Sequence, residues 1–363
     1  MNIDLNTLPV PTWNHLGVNR APEKAALPPV PAAGWGATNT RYDALPEGCA
    51  CRPVLPLACA RAESGLGVEA DKFIRTNATF HRFYQANGTA KAPIRLYEHL
   101  DADHPNALTH TALHAAENSC VTYVQVLTAE EDAYGVSASL TQIAAEKGAR
   151  VRLIQIQLLP RACRRYNAVA VRCEAGARVD VLRAEPGAGV LVSGARFALE
   201  GDESACRLDA VYYGDGDGIL DFNDVAVHTG RDTHSEMHHA GVLADRCRKT
   251  LRGTIDFRRG AAHAVGHESE DVLLFSPEVR HRAAPLILCT EENVEGQHAA
   301  SAGRLDENVL YYLASRGLDP QRAMRLMVDA RFAPVVDKIP DEALRDLVRE
   351  SLERRLEHAQ ILG

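Results

Sequence analysis

Between residues 94 and 303 short runs rich in Val, Ile, Leu and Thr recur, each pair divided by a small polar corner. Ala116-Glu117-Asn118-Ser119-Cys120-Val121 opens the series, followed by Ala145-Glu146-Lys147-Gly148-Ala149-Arg150-Val151 and Cys173-Glu174-Ala175-Gly176-Ala177-Arg178-Val179. A weaker copy is Leu199-Glu200-Gly201-Asp202-Glu203-Ser204-Ala205. Ala149, Ala177 and Ala205 are spaced 28 residues apart, and Ser119 precedes Ala149 by 30. A fixed spacing in this range marks a repeat architecture. Each unit predicts strand, tight corner, strand, as in Leu140–Ile143 and Val151–Ile154 around the Gly148 corner. No helical segment separates the strands, which argues against βαβ units. Stacked coils would let each strand pair with the next coil and share one apolar interior. The expected fold is mainly β: a right-handed parallel β-helix, or β-solenoid, over residues 94–303.

The flanks read differently. Half of the 18 prolines precede residue 57. Such spacing leaves no room for long helices or central strands, so residues 1–93 form an extended arm with short helices. After Gly303 the pattern turns helical, over residues 304–363, and these helices are expected to cap the exposed end of the stack. Leu305-Asp306-Glu307 opens the first helix, which Gly317 stops. Asp319-Pro320 sets an N-cap with proline at the first helical position, and Pro334 should bend or end the helix that follows. Pro340-Asp341 begins a last amphipathic helix through Leu344, Leu347, Val348, Leu352 and Leu356.

A formal net charge of −8 argues against a nucleic-acid partner, because phosphate neutralisation needs a Lys/Arg-rich face. No run reaches the roughly 18 apolar residues of a membrane span. The opening Met1–Asn6 lacks a secretory pattern, which points to the cytoplasm. There the nine cysteines stay mostly reduced.

Several segments carry ligand-type residues. Asp215-Gly216-Asp217-Gly218 resembles a calcium loop, but placing Gly218 at the loop glycine puts Tyr213 at the first ligand position; a β-turn is the simpler reading. His263 and His267, like His234 and His238, have spacing that suits zinc only on a helix. In strand and turn, most of the eight histidines from His228 to His298 are expected on a solvated sheet face. Cys49, Cys51 and Cys59 lack the partner pair of a structural zinc site. Cys120, Cys163, Cys173, Cys206 and Cys247 read as small core residues. No nucleophile elbow, phosphate-binding glycine loop or kinase motif is present, so an enzyme acting on its own is not expected.

Residues 228–357 resemble the SufB/SufD family. The resemblance is carried by His228-Thr229-Gly230 with Ser235 and Ala240-Gly241-Val242-Leu243, and by Arg248–Ile255. The most specific part is Asn293-Val294-Glu295-Gly296-Gln297-His298-Ala299-Ala300, with Leu310-Tyr311-Tyr312-Leu313-Ala314-Ser315-Arg316-Gly317-Leu318 beyond it. At the N-terminus Leu8-Pro9-Val10-Pro11-Thr12-Trp13-Asn14 is similar to a family opening.

The resemblance implies a scaffold for iron–sulfur cluster assembly, with the β-helix paired edge to edge with a SufB-type protein or a second copy. Its helical region would dock the ABC-type ATPase SufC through Leu310, Tyr311, Tyr312, Leu313, Arg316, Gly317 and Leu326. A cysteine desulfurase would supply sulfur, and whether a flavin supplies electrons is left open. The transient cluster would form at the subunit interface. His298 matches the SufD-type histidine and is the candidate metal ligand, with Glu295 and Cys289 beside it. Gly296 stands where the family has a cysteine, and Ser269 is nearest to the position of the SufB cysteine. Two other readings remain: a structural or regulatory partner without cluster ligation, and a β-helix polysaccharide-active enzyme, against which stand the lack of a signal peptide and the 6% aromatic content.

Overall fold

The computed structural model describes residues 3–31, 34–304 and 307–357. Two single 3₁₀ turns, Asn14–Leu16 and Glu23–Ala25, precede two short strands, β1 (Asn39–Tyr42) and β2 (Cys49–Arg52), then helices α1 (Leu57–Ala60) and α2 (Val68–Asn77). The coils follow as β3 (Phe80–Ala86), β4 (Ile94–Leu100), β5 (Asn106–Ala115), β6 (Cys120–Ala129), β7 (Gly135–Ala145) and β8 (Arg150–Gln157). They continue as β9 (Cys163–Cys173), β10 (Arg178–Glu185), β11 (Val190–Leu199), β12 (Ala205–Gly214) and β13 (Ile219–His228). The last are β14 (His234–Leu243), β15 (Arg248–Phe257), β16 (Val265–Leu274), β17 (Arg280–Cys289) and β18 (Glu295–Arg304). Helices α3 (Glu307–Ser315), α4 (Pro320–Val336) and α5 (Glu342–Glu357) close the described chain.

From β4 on, the even strands pair in parallel in one sheet, and from β3 on, the odd strands do so in the other. The chain therefore winds as a parallel β-solenoid, beginning at Phe80. β1 and β2 pair antiparallel with β4 and β3, one on each sheet at the starting end.

The corners explain the repeat. Asn118, Gly148, Gly176, Glu203, Asp232 and His263 all have positive φ, and each donates its backbone N–H to a carbonyl of the next coil, on Lys147, Ala175, Asp202, Arg231, Ala262 and Asn293 respectively. Hydrogen bonding thus continues around the bend where strand pairing stops. Glycine meets the left-handed requirement without strain at 148 and 176. The small residue after each corner residue is buried: Ser119, Ala149, Ala177, Ser204, Thr233 and Ala264. The fourth corner thus corrects the spacing read from the sequence, because Arg178 pairs with Ala205, and Ser204 takes the place assigned to Ala205.

Both outer sheet faces are covered. Ile3, Leu5, Ala70 and Ile74 pack on Leu108, Leu140, Tyr166 and Val192 of the odd sheet. Met324, Val328, Phe332, Val348 and Leu352 of α4 and α5 pack on Val126, Ile154, Ile156, Val211 and Val242 of the even sheet. Each Val, Leu, Ile, Phe or Met side chain among these contributes about 1.5–3 kcal/mol on burial. The expectation of a helical end cap is therefore corrected: α4 and α5 cover a flank. The continuous apolar runs of β6 and β8 present side chains on both faces, and the outward ones need a cover.

Asp319 caps α4 by accepting from the Arg322 N–H at 2.9 Å. Pro334 does not end α4 at its own position; the helix runs on to Val336. Arg355 of α5 bonds Asp215, which also accepts from Arg161. The supposed calcium loop is thus a turn whose carboxylates are taken by arginines, Asp217 by Arg246.

Candidate functional site

The last coil differs from the rest. β17 and β18 each have a neighbour on one side only, and every residue of β18 is exposed. Among the described residues no further strand pairs with β17 or β18 along this open edge. Between Glu295 and Arg304, β18 carries no Asp, Glu, Lys or Arg, whereas β17 carries Arg280, Arg282 and Pro285.

Strand alternation aims every second residue of β16 at the interior: Gly266, Glu268, Glu270 and Val272, all buried. Their partners on β18 are Gly296, His298, Ala300 and Ala302. His298 therefore faces the interior at the open mouth, directly over Glu268. Glu295 is on the other face, accepting from Gln297 Nε2 at 2.9 Å. Ser269 faces outward with Ala299. Cys289 stands over Phe257 on β15, and its thiol donates to the Glu291 carbonyl at 2.8 Å. A Cβ at Gly296 would sit 3.0 Å from Phe257 Cε2 and 3.3 Å from Ile287 Cδ1.

Below His298 lies a buried charged cluster that the sequence reading did not find. Glu270 pairs with Lys249 and accepts from the Tyr212 hydroxyl at 2.7 Å. His281 Nε2 lies 3.8 Å from its other oxygen. Burial pushes the Lys249 ammonium down to about 8, against the pull of Glu270. Burial alone would raise Glu270, but Lys249 beside it wins and holds it below the ordinary carboxylate range. Glu268 is raised, first by burial and then by Glu270, while His239 and His298 oppose this.

The cluster continues inward. His239 Nε2 meets Asp224 Oδ2 at 2.7 Å, and Asp224 takes Arg183 at 2.5 Å, all three with no side-chain exposure. Arg183 reaches Ser193 Oγ at 2.9 Å. Further in, Asn167 donates to Gln155 at 2.9 Å and Gln155 to Gln125 at 2.7 Å. Polar side chains thus line part of the interior, where Lys249 is paired with Glu270 and Arg183 with Asp224, as burial requires. The available signal was Gly266-His267-Glu268-Ser269-Glu270, with acids at alternate strand positions.

Of the eight histidines from His228 to His298, two are fully buried and the others are half-buried or exposed. His228 and His239 are buried, and His228 bonds Thr233 Oγ1 at 2.8 Å and Ser235 Oγ at 2.9 Å. His263 occupies a corner and contacts Asp232. Among the described residues no three His, Cys, Asp or Glu side chains converge to hold a metal ion. All nine cysteines are free, and Cys120 is exposed, against the core position expected for it; Cys163, Cys173, Cys206 and Cys247 are buried.

On α3, Tyr311 is 78% exposed, Tyr312 is exposed with Arg316 over its ring, and Leu313 is half-buried. Leu310 lies on the same helix, its side chain outside those described, as are Leu305 and Asp306. Gly317 ends the turn at φ +85°, and Leu326 is exposed on α4.

Residues 99–331 match the family model described as "SUF system FeS cluster assembly, SufBD core domain". The chain belongs to this SufBD family. It is 32% identical over 158 residues to the iron–sulfur cluster assembly protein SufD of Bacillus subtilis, covering 44% of this chain and 36% of that protein. It is 24% identical over 265 residues to the chloroplastic SufBD family protein ABCI8 of Arabidopsis thaliana, covering 70% and 48%. With SufD of Escherichia coli it shares 24% over 170 residues, covering 47% and 40%. The chain thus spans between a third and a half of these relatives' lengths. Within this SufBD chain the family-like residues have plain structural roles: His228 and Ser235 are bonded to each other inside the solenoid, and His298 faces the interior. No described helix is long and apolar enough to cross a membrane.

Proposed function

We propose that this chain is a SufD-like scaffold component of a cytoplasmic iron–sulfur cluster assembly complex, with no reaction of its own. The observation that supports it best is the open last coil, where His298 faces inward above the buried Glu268, Glu270 and Lys249. Iron and sulfide are the cargo, with sulfur from a cysteine desulfurase. Imidazole can replace thiolate at iron, as Rieske-type centres illustrate. A site with few thiolates favours a cluster that is held and then released. In this reading His298 gives one ligand and a SufB-type partner or second copy, paired along β17 and β18, gives others. The exposed Tyr311, Tyr312 and Leu326 form the docking face for the ATPase SufC.

Anaerobic reconstitution with a SufB-type partner, SufC, iron and a sulfide source tests the ligand role. His298→Ala should lower the cluster yield read by visible absorption while the complex still assembles. An unchanged yield would remove that role. It would leave the second reading, a structural partner without ligation, which is favoured by Gly296 at the family's cysteine position, packed close to Phe257 and Ile287.

A further inference from the structure

The N-terminal arm forms a hairpin over the outer face of the odd sheet. At its base Asn6 bonds Asp221 of β13 at 2.7 Å, and the legs are tied by Ala21 N–H to the Leu5 carbonyl and Leu8 N–H to the Asn19 carbonyl. Farther out, the Val18 carbonyl accepts from Arg252 of β15, and the Gly17 carbonyl from Arg282 of β17 at 3.4 Å. The hairpin thus runs from β13 toward the open edge. Burial changes along it: Leu5, Leu8 and Val18 are buried, whereas Val10 and Leu16 are exposed and Trp13 is 75% exposed. Asn19 holds the tip shut through Thr12, accepting from its N–H at 2.7 Å and donating to its carbonyl at 3.0 Å. The tip is a closed loop carrying three exposed apolar side chains at the edge of the stack.

We propose that this tip clasps a second copy of the chain, Trp13 of each copy lying on Leu286 and Leu288 of the other. The inference rests on the edge-to-edge reading above and adds a contact to it. Outward positions on β17 are Arg280, Arg282, Ala284, Leu286 and Leu288, since Lys249, Leu251 and Phe257, opposite His281, Ala283 and Cys289, are buried in the interior. In a two-fold antiparallel pairing, opposed residues face the same side. Centring β17 on its copy then sets Arg282, which holds the hairpin tip, opposite Leu286 or Leu288. Those leucines are only partly covered within one chain. The aromatic anchor and its apolar seat therefore belong to the same sequence, as a self-complementary interface requires. The contact falls on the odd sheet, where Pro285 cannot donate to a pairing strand.

Sedimentation velocity on the full chain tests this with three proteins: wild type, Trp13→Ala and Ala300→Pro. Glu295 N–H points into the stack, to the Ala264 carbonyl, so by alternation the N–H of Ala300 points to the open edge. Ala300→Pro therefore removes an edge donor, with circular dichroism confirming the fold. Support requires a wild-type dimer, weakened about tenfold or more by Trp13→Ala and also by Ala300→Pro. A dimer insensitive to Trp13→Ala but broken by Ala300→Pro overturns the clasp and leaves edge pairing standing. A dimer insensitive to Ala300→Pro overturns edge pairing of copies and the clasp with it. A monomeric wild type overturns the clasp alone if the chain still pairs with a SufB-type partner.

Discussion

His298 stands directly over Glu268 in the ladder between β16 and β18, and the Glu268 carboxylate fills the space a side chain would take at Gly253. A glycine on the odd sheet thus fixes the group beneath an imidazole on the even sheet.

Gly253→Ala should push the Glu268 carboxylate aside and destabilise the fold by about 1–3 kcal/mol, read as a lower urea midpoint. The His298 ring signals in NMR should move as well. Adding Glu268→Ala, which removes the clash, should recover part of the loss. An unchanged midpoint in Gly253→Ala would show that Glu268 is free to move.

Stability should fall in acid in a way that His228 helps to set. Burial holds His110 and His228 down to about 4, while an unfolded imidazole titrates near ~6.5. Between these values the unfolded chain binds more protons, so stability is lost as pH falls. Asp71, raised to about 6 chiefly by burial, acts the other way, because the folded chain keeps its proton longer. His228→Gln should leave a shallower decline of the unfolding free energy from urea titrations between pH 7 and 4.5, by roughly 1–3 kcal/mol across that range. A slope equal to that of the wild type would contradict this.

Pro285 should keep the odd sheet's edge from pairing freely. Arg280 and Thr290 donate into the stack, to the Cys247 and Phe257 carbonyls, so alternation aims position 285 at the open edge, where proline has no N–H. Pro285→Ala should raise self-association in light scattering with concentration, leaving the melting temperature nearly unchanged. Equal scattering would mean that the odd edge takes no part in association.

The winding was legible because its cause is local. A corner needs a small buried residue after a left-handed one, and Asn118-Ser119, Gly148-Ala149 and Gly176-Ala177 state that in the chain itself. Where the residues changed character, at Glu203-Ser204, the spacing slipped by one position. The placement of α4 and α5 was not legible, because Leu344, Val348 and Leu352 reveal an apolar face without naming what it meets. Val211 and Val242 held the missing half of that information. His298 was found through resemblance, whereas Glu268, Glu270 and Lys249 were missed. Their meaning depends on contact across the interior between strands of opposite sheets, from Lys249 on β15 to Glu270 on β16, and on which face looks inward. The arm read as extended, as its prolines dictate, but its folding back on Asn19 depends on contacts that composition does not encode.

The two ends of the solenoid are unlike. The starting end is finished by the four-residue antiparallel strands β1 and β2, and short edges of this kind resist further pairing. Any union through the far end uses up the unpaired edges of β17 and β18 in each participant. Assembly would stop at two bodies with blunt outer tips, so a fold geometrically suited to endless fibres is limited to a finite particle.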